Sequence, residues 1–203
     1  MKKTFSEAIK LKDGVFHNLS YHQQRVDRTQ IHFGGGKINL ADCLSTPPEE
    51  VRNGLFKCRI EYGVEVEKIE FIPYVFRPVG GVTAVANNEI DYRFKSTDRR
   101  SLDEMLKASG CSDIIIIKYG FVTDAFASNL VFESKEGLFT PESCLLNGTK
   151  RQSLLESKRI SARPITIADI KSYDRLYFVN AMIDLEDNIS IAIGDIALNL
   201  DNL

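Results

Sequence analysis

Three stretches in the first half of the chain alternate apolar and polar residues: LFKCRIEYG (55–63), VEVEKIEFIPY (64–74) and VTAVANN (82–88). A period of two sends successive side chains to opposite faces, so these segments are expected to be half-buried antiparallel strands. Pro73 and Pro78 confine that region to strand ends or edges, because proline donates no ladder hydrogen bond. Ahead of them, FSEAIKLKDG (5–14) reads as a strand ending in the turn pair Asp13-Gly14, followed by VFHNL. A helix is expected over 20–32, with Ser20 as N-cap. Gly34-Gly35-Gly36 ends it as a loop; no strand precedes the triplet and no GK[ST] follows, which argues against a phosphate cradle. Thr46-Pro47-Pro48-Glu49-Glu50 is a helix start or a turn.

Asn87-Asn88 breaks the β pattern. SLDEMLKAS (101–109) has helical spacing and is closed by Gly110. The run Ile114–Ile117 is a buried strand, followed by a Tyr119-Gly120 turn, FVTDAFASNLVF (121–132) and EGLFTP (136–141). Residues 148–158 read as a helix, and ISARPITIADI (160–170) as a short strand and a helix capped near Thr166. LYFVNAMID (176–184) and ISIAIGDIAL (189–198) close the chain as strands. The order predicts an α+β protein: a small N-terminal α+β domain over 1–85 and a larger β-rich domain with peripheral helices over 86–203.

Composition removes several function classes. A net charge of −2 offers no basic footprint for nucleic acid, and no apolar run approaches the length that spans a bilayer. The start, MKKTFSEAIKLKDG, has lysines but no apolar core of a secretory signal, so a cytoplasmic protein is expected. Four separated cysteines (Cys43, Cys58, Cys111, Cys144) form no CxxC pair and are expected to be reduced and mostly buried. All three histidines lie within the first 32 residues, so chemistry in the C-terminal half must use lysine, carboxylates, hydroxyls or a cofactor; no metal site is expected.

Four segments carry candidate chemistry. Lys95, in IDYRFKSTDRR, has aromatic neighbours Tyr92 and Phe94 and cationic neighbours Arg93, Arg99 and Arg100, surroundings that favour a neutral, nucleophilic amine. Asp124 and Asn129 sit between two apolar runs, where a turn aspartate is the bland alternative. Gly148-Thr149-Lys150-Arg151 opens a helix, whose N-terminal N–H groups suit a phosphate; unaided, it is only a capped helix start. In NLSYHQQRVDRT, His22 and Arg25 fall at i and i+3 of a helix, and a guanidinium grips phosphate oxygens in its plane.

The order and wording of these segments resemble the class IV (fold type IV) pyridoxal phosphate enzymes, which include the branched-chain and D-amino-acid aminotransferases and the aminodeoxychorismate lyases. The resemblance implies a two-domain D-amino-acid-aminotransferase-like fold, pyridoxal 5'-phosphate as cofactor and a homodimer. By its motifs, Lys95 would be the Schiff-base lysine, Asp124 the carboxylate facing the pyridine nitrogen (as in E-x-x-x-x-N), and Asn129 a structural support beside the ring. Gly148, Thr149 and Lys150 would hold the phosphate as in G-x-x-R, and Arg25 as in L-x-x-H-x-x-R-L. Asn180-Ala181 in FVNAM is closer to the N-A-L of the lyases than to the S-G-T of the branched-chain enzymes, placing Asn180 on the substrate side.

Three departures stand out. Asp124 replaces the usual Glu, one methylene shorter; an N-terminal stretch that usually precedes the first strand is missing; and Tyr62-Gly63 stands where many members have Arg-Gly. A substrate carboxylate would then need Arg77 or Arg99. The expected function is that of a PLP enzyme on a small amino substrate, with 4-amino-4-deoxychorismate lyase first and a class IV aminotransferase second. A non-catalytic ligand-binding descendant is third.

Overall fold

A computed structural model describes residues 3–198, and the chain divides into two units: Met1–Phe76 with Phe94–Asp98, and Arg77–Arg93 with Arg99–Leu203. The first unit therefore ends short of residue 85 and reclaims a later segment.

In the first unit the strands β1 (Phe5–Lys12), β2 (Val15–Phe16), β3 (Leu55–Tyr62) and β4 (Val66–Pro73) form an antiparallel sheet in the order β2-β1-β3-β4. Asp13 and Gly14 turn β1 into β2 with φ of 47° and 80°, the left-handed pair that a tight hairpin needs and that Asp-Gly supplies at little strain. The period of two places Phe5, Glu7, Ile9 and Leu11 on the buried face of β1. Phe5 and Ile9 pack with Val26 and Leu40 of the helices α1 (Leu19–Phe33) and α2 (Leu40–Cys43), and with Cys58, Ile60 and Tyr62 of β3. The N-cap of α1 is Asn18 rather than Ser20, which falls inside the first turn. Residues 49–51 are a short 3-10 turn.

Segment 94–98 joins this unit by its backbone. Ser6 N donates to Lys95 O at 2.9 Å, Thr97 N donates to Thr4 O at 3.0 Å, and Phe5 bridges Ser96. Because β2 covers β1 only at Leu11 and Lys12, the start of β1 is an edge that this segment can pair with.

The second unit contains β5 (Val82–Ala86), α3 (Arg100–Ser109), β6 (Asp113–Lys118), β7 (Phe121–Ala125), β8 (Asn129–Ser134), β9 (Gly137–Pro141), α4 (Thr149–Glu156), β10 (Ser161–Arg163), β11 (Arg175–Val179), β12 (Ser190–Ala192) and β13 (Ile196–Ala197). Its sheet runs β10-β9-β8-β7-β6-β5-β13, with β11 pairing β8 and β12. The unbroken Ile114–Ile117 run has a physical reason: both faces of β6 are covered. Ile115 and Ile117 pack with Val122, Leu130 and Phe132, while Ile114 and Ile116 meet Leu102 and Met105 of α3.

Several sequence expectations are corrected here. VTAVA is no antiparallel strand of the small domain: β5 pairs in parallel with β6 and with β13 in the second unit. Val82, Thr83 and Ala84 are all buried, and α3 lies in the crossover that a parallel pair requires. ISIAIGDIAL is split by a 3-10 turn at Ile193–Asp195 into β12 and β13, which join different neighbours. The helix expected after Thr166 is a 3-10 turn, Ala168–Ser172, with Asp169 Oδ2 accepting from Thr166 N at 2.8 Å and from its Oγ1 at 2.7 Å. The four cysteines are free thiols, but only Cys58 is buried; Cys43 is exposed and Cys111 and Cys144 are half-buried. Among the described residues no helix is long and apolar enough to cross a membrane.

Candidate cofactor site

The first unit gathers Glu7, His22, Arg25 and Lys95. Glu7 occupies an inner-face position of β1 in phase with Phe5, Ile9 and Leu11, and is fully buried. A carboxylate there must be paired and hydrogen-bonded. Arg25 Nε donates to Glu7 Oε1 at 2.8 Å and Arg25 Nη2 to Oε2 at 2.5 Å; His22 Nδ1 reaches the same Oε2 at 2.5 Å. Burial pushes the Glu7 pKa up, but the Arg25 charge and the hydrogen bonds of His22 and Arg25 outweigh it and hold the carboxyl at about 2. Burial lowers the His22 pKa, opposed by Glu7 and reinforced by the positive charges of Arg25 and Lys95. A neutral His22 placed this way carries its proton on Nδ1 and donates it to Glu7. Lys95 is half-buried, on the segment hydrogen-bonded to β1.

Tyr62 closes this polar cluster with a buried hydroxyl that has no hydrogen-bond partner at normal distance and angle among the described residues; the neighbouring Thr29 hydroxyl donates to Arg25 O at 2.9 Å. Burial, with Glu7 adding to it, pushes the Tyr62 pKa well up.

The second unit gathers Asp124, Asn129 and the start of α4. Asp124 on β7 and Asn129 on β8 are direct cross-strand partners, so Asp124 is a buried strand residue and not a turn aspartate. Asn129 Nδ2 donates to Asp124 Oδ1 at 2.8 Å and to Leu146 O at 2.9 Å, while Leu146 N donates to Asp124 Oδ2 at 2.8 Å. Asp124 is 6% exposed, and burial raises its pKa to about 6 against those hydrogen bonds and the charge of Arg151. Gly148 is the N-cap of α4, and a Cβ there would collide with Asn129 Oδ1. One amide thus fixes both the carboxylate and the glycine that opens the helix.

Beyond Gly148, Thr149 is buried at the first position of α4. The Lys150 ammonium is ion-paired with Asp184. Arg151 is tied to Thr140 Oγ1, Asn147 Oδ1 and Pro141 O at 3.2, 3.1 and 2.9 Å, which anchors the helix.

The tentative substrate residues are dispersed. Asn180 Oδ1 accepts from Met182 N and Ile183 N at 2.9 and 3.1 Å, and its Nδ2 donates to Ala127 O and Ser128 Oγ at 3.2 and 3.1 Å. Its amide therefore orders the Ala127–Ser128 loop. Arg99 donates to Tyr92 Oη at 3.2 Å and Phe126 O at 2.8 Å and lies over both rings. Arg77 is exposed at the start of the second unit.

Sequence reasoning passed over Glu7. The signal was available: a charge in phase with Phe5, Ile9 and Leu11, on a strand followed by a helix carrying His22 and Arg25.

Each unit by itself carries groups with chemistry that suits pyridoxal phosphate. In the first, Arg25 offers donors for a phosphate and Lys95 an amine; in the second, the opening of α4 offers backbone N–H groups. Asp124 is a desolvated carboxylate whose ionisation a neighbouring pyridinium N–H would favour.

Comparisons with known proteins agree. A family profile described as Amino-transferase class IV matches residues 93–185. An uncharacterised protein of Haemophilus influenzae is 31% identical over 180 residues, 87% of this chain and 96% of the other. A crystal structure from Haemophilus somnus, assigned provisionally as a 4-amino-4-deoxychorismate lyase, is 33% identical with a TM-score of 0.82, over 90% of this chain and 97% of that one. The Escherichia coli branched-chain amino acid aminotransferase shares the fold, with a TM-score of 0.69 at 14% identity over 89% of this chain and 74% of that one. The chain is a member of the class IV aminotransferase family, whose enzymes depend on pyridoxal phosphate.

Proposed function

We propose that this enzyme is a lyase that eliminates pyruvate from 4-amino-4-deoxychorismate, leaving p-aminobenzoate. The observation that carries this reading is the 33% identity to the Haemophilus somnus protein so assigned, over 97% of that chain. The likeness of Asn180-Ala181 in FVNAM to the N-A-L of the lyases supports the same reading.

Bound pyridoxal phosphate would supply an electron sink for charge developing on the substrate carbon. In this reading Arg25 of the first unit would bind phosphate oxygens, and in the second unit the backbone N–H groups opening α4, with Thr149, have the same chemistry. Lys95 would hold the cofactor through its amine and, as a free amine, would move protons at the substrate carbon. Asp124 would be the carboxylate for the ring nitrogen, kept in place by the hydrogen bonds from Asn129 Nδ2 and Leu146 N. Lys150, paired with Asp184, contributes to the phosphate only through the local field. For a substrate carboxylate, exposed Arg77 is the better candidate, because Arg99 already holds Tyr92 and Phe126. The protein is proposed to work as a cytoplasmic homodimer.

The test is a paired assay on protein loaded with the cofactor. With aminodeoxychorismate the lyase reading expects pyruvate and p-aminobenzoate in equal amounts. Amino transfer from an amino acid to a keto acid, without pyruvate release, would replace it with the aminotransferase reading.

A further inference from the structure

Glu7 has no part in the function proposed above, yet it is a fully buried carboxylate, and it holds three N–H donors. We infer that Glu7 is a positioning residue that sets the plane and reach of Arg25 for a phosphate monoester. The inference rests on the reading of Arg25 as the phosphate ligand.

The geometry is that of a two-sided clamp. Glu7 projects from β1 and Arg25 from α1, and two parallel N–H···O contacts of 2.8 and 2.5 Å lock the guanidinium plane to the carboxylate plane. His22, one turn earlier on the same face of α1, fixes the carboxylate from a second direction. A guanidinium has five N–H donors in a rigid fork, so fixing two of them fixes the direction of all. Without Glu7, the flexible stem of Arg25 would sample several rotamers and a phosphate would have to order it on binding.

Glu7 also carries a charge that repels phosphate, which would act in the opposite direction. That charge lies in contact with the Arg25 cation and accepts the His22 proton, so at longer range the pair behaves as a dipole whose field decays steeply. Orientation is the larger effect. Supporting partners of ligand-binding groups are commonly worth ten- to a hundredfold in affinity, and about tenfold is expected here.

The experiment compares the affinities of pyridoxal 5'-phosphate and unphosphorylated pyridoxal by spectral titration, in the wild type, Glu7→Gln, Arg25→Gln and the double variant. The wild type should prefer the phosphorylated form, and Arg25→Gln should lower that preference more than Glu7→Gln does. If the wild type shows no preference, the reading of Arg25 itself fails. Glu7→Gln should reduce the preference about tenfold by weakening only the phosphorylated ligand, and should change nothing further in the Arg25→Gln background. A structural role alone would weaken both ligands equally, and that result overturns the inference, as does a preference that rises in Glu7→Gln. Should Glu7→Gln not fold, Glu7→Asp keeps the carboxylate one methylene short, and an intermediate preference is then expected; an unchanged one counts against positioning.

Discussion

The side-chain oxygen of Asn129 fills the space that a Cβ on Gly148 would need, while its nitrogen donates to Asp124 at 2.8 Å. The strand pair β7–β8 and the start of α4 are therefore locked through one amide. Gly148→Ala must push Asn129 away from a buried carboxylate. The expected cost is about 1–3 kcal/mol in urea unfolding, with weaker cofactor binding besides. Unchanged stability would mean that the amide relocates without loss.

Stability should depend on pH through two carboxylates with opposite slopes. The folded pKa of Asp124 is raised to about 6, so its contribution is fully present below its unfolded value of 3.8 and is lost as pH rises through 6. The loss is of the order of 3 kcal/mol by neutral pH. The folded pKa of Glu7 is depressed to about 2, so its contribution is present above its unfolded value of 4.5 and is lost as pH falls through 2. In cofactor-free protein, carbon-detected NMR of the two carboxyl groups should find Asp124 titrating near 6 and Glu7 far below it. An Asp124 that titrates near 4 would remove the basis for this pH profile.

Tyr62→Phe deletes a buried hydroxyl that has no hydrogen-bond partner among the described residues. Denaturant midpoints should be unchanged or slightly higher, within about 1 kcal/mol. A loss of 2 kcal/mol or more would reveal an ordered water or a partner for that hydroxyl.

Lys150→Met breaks the ion pair with Asp184. If the ammonium serves mainly that pair, urea unfolding should register a loss of about 1–3 kcal/mol while cofactor affinity moves less than threefold. A tenfold loss of affinity at unchanged stability would assign Lys150 to the phosphate directly.

Much of the fold could be read from local pattern. The period of two placed β1, β3 and β4, and the apolar run marked β6 as covered on both faces. Two features were hidden for reasons of topology. VTAVA has the length and composition of any strand, and only its burial and the α3 crossover reveal a parallel neighbour in the second unit. The pairing of residues 94–98 with β1 depends on a backbone edge left open by the short β2, which side-chain periodicity does not report. Lys95, Arg25 and Asp124 were singled out by the likeness of their segments to family motifs, and their roles remain proposals. Glu7 is a charge in phase with Phe5, Ile9 and Leu11, a signal carried by the periodicity of β1 rather than by motif wording.

The central claim is that Lys95 carries pyridoxal phosphate. Purified protein given the cofactor should turn yellow, and borohydride should fix the label to the peptide containing Lys95, as read by mass spectrometry. Lys95→Ala should stay unlabelled. Protein that remains colourless with added cofactor, or a label on another lysine, would contradict the account.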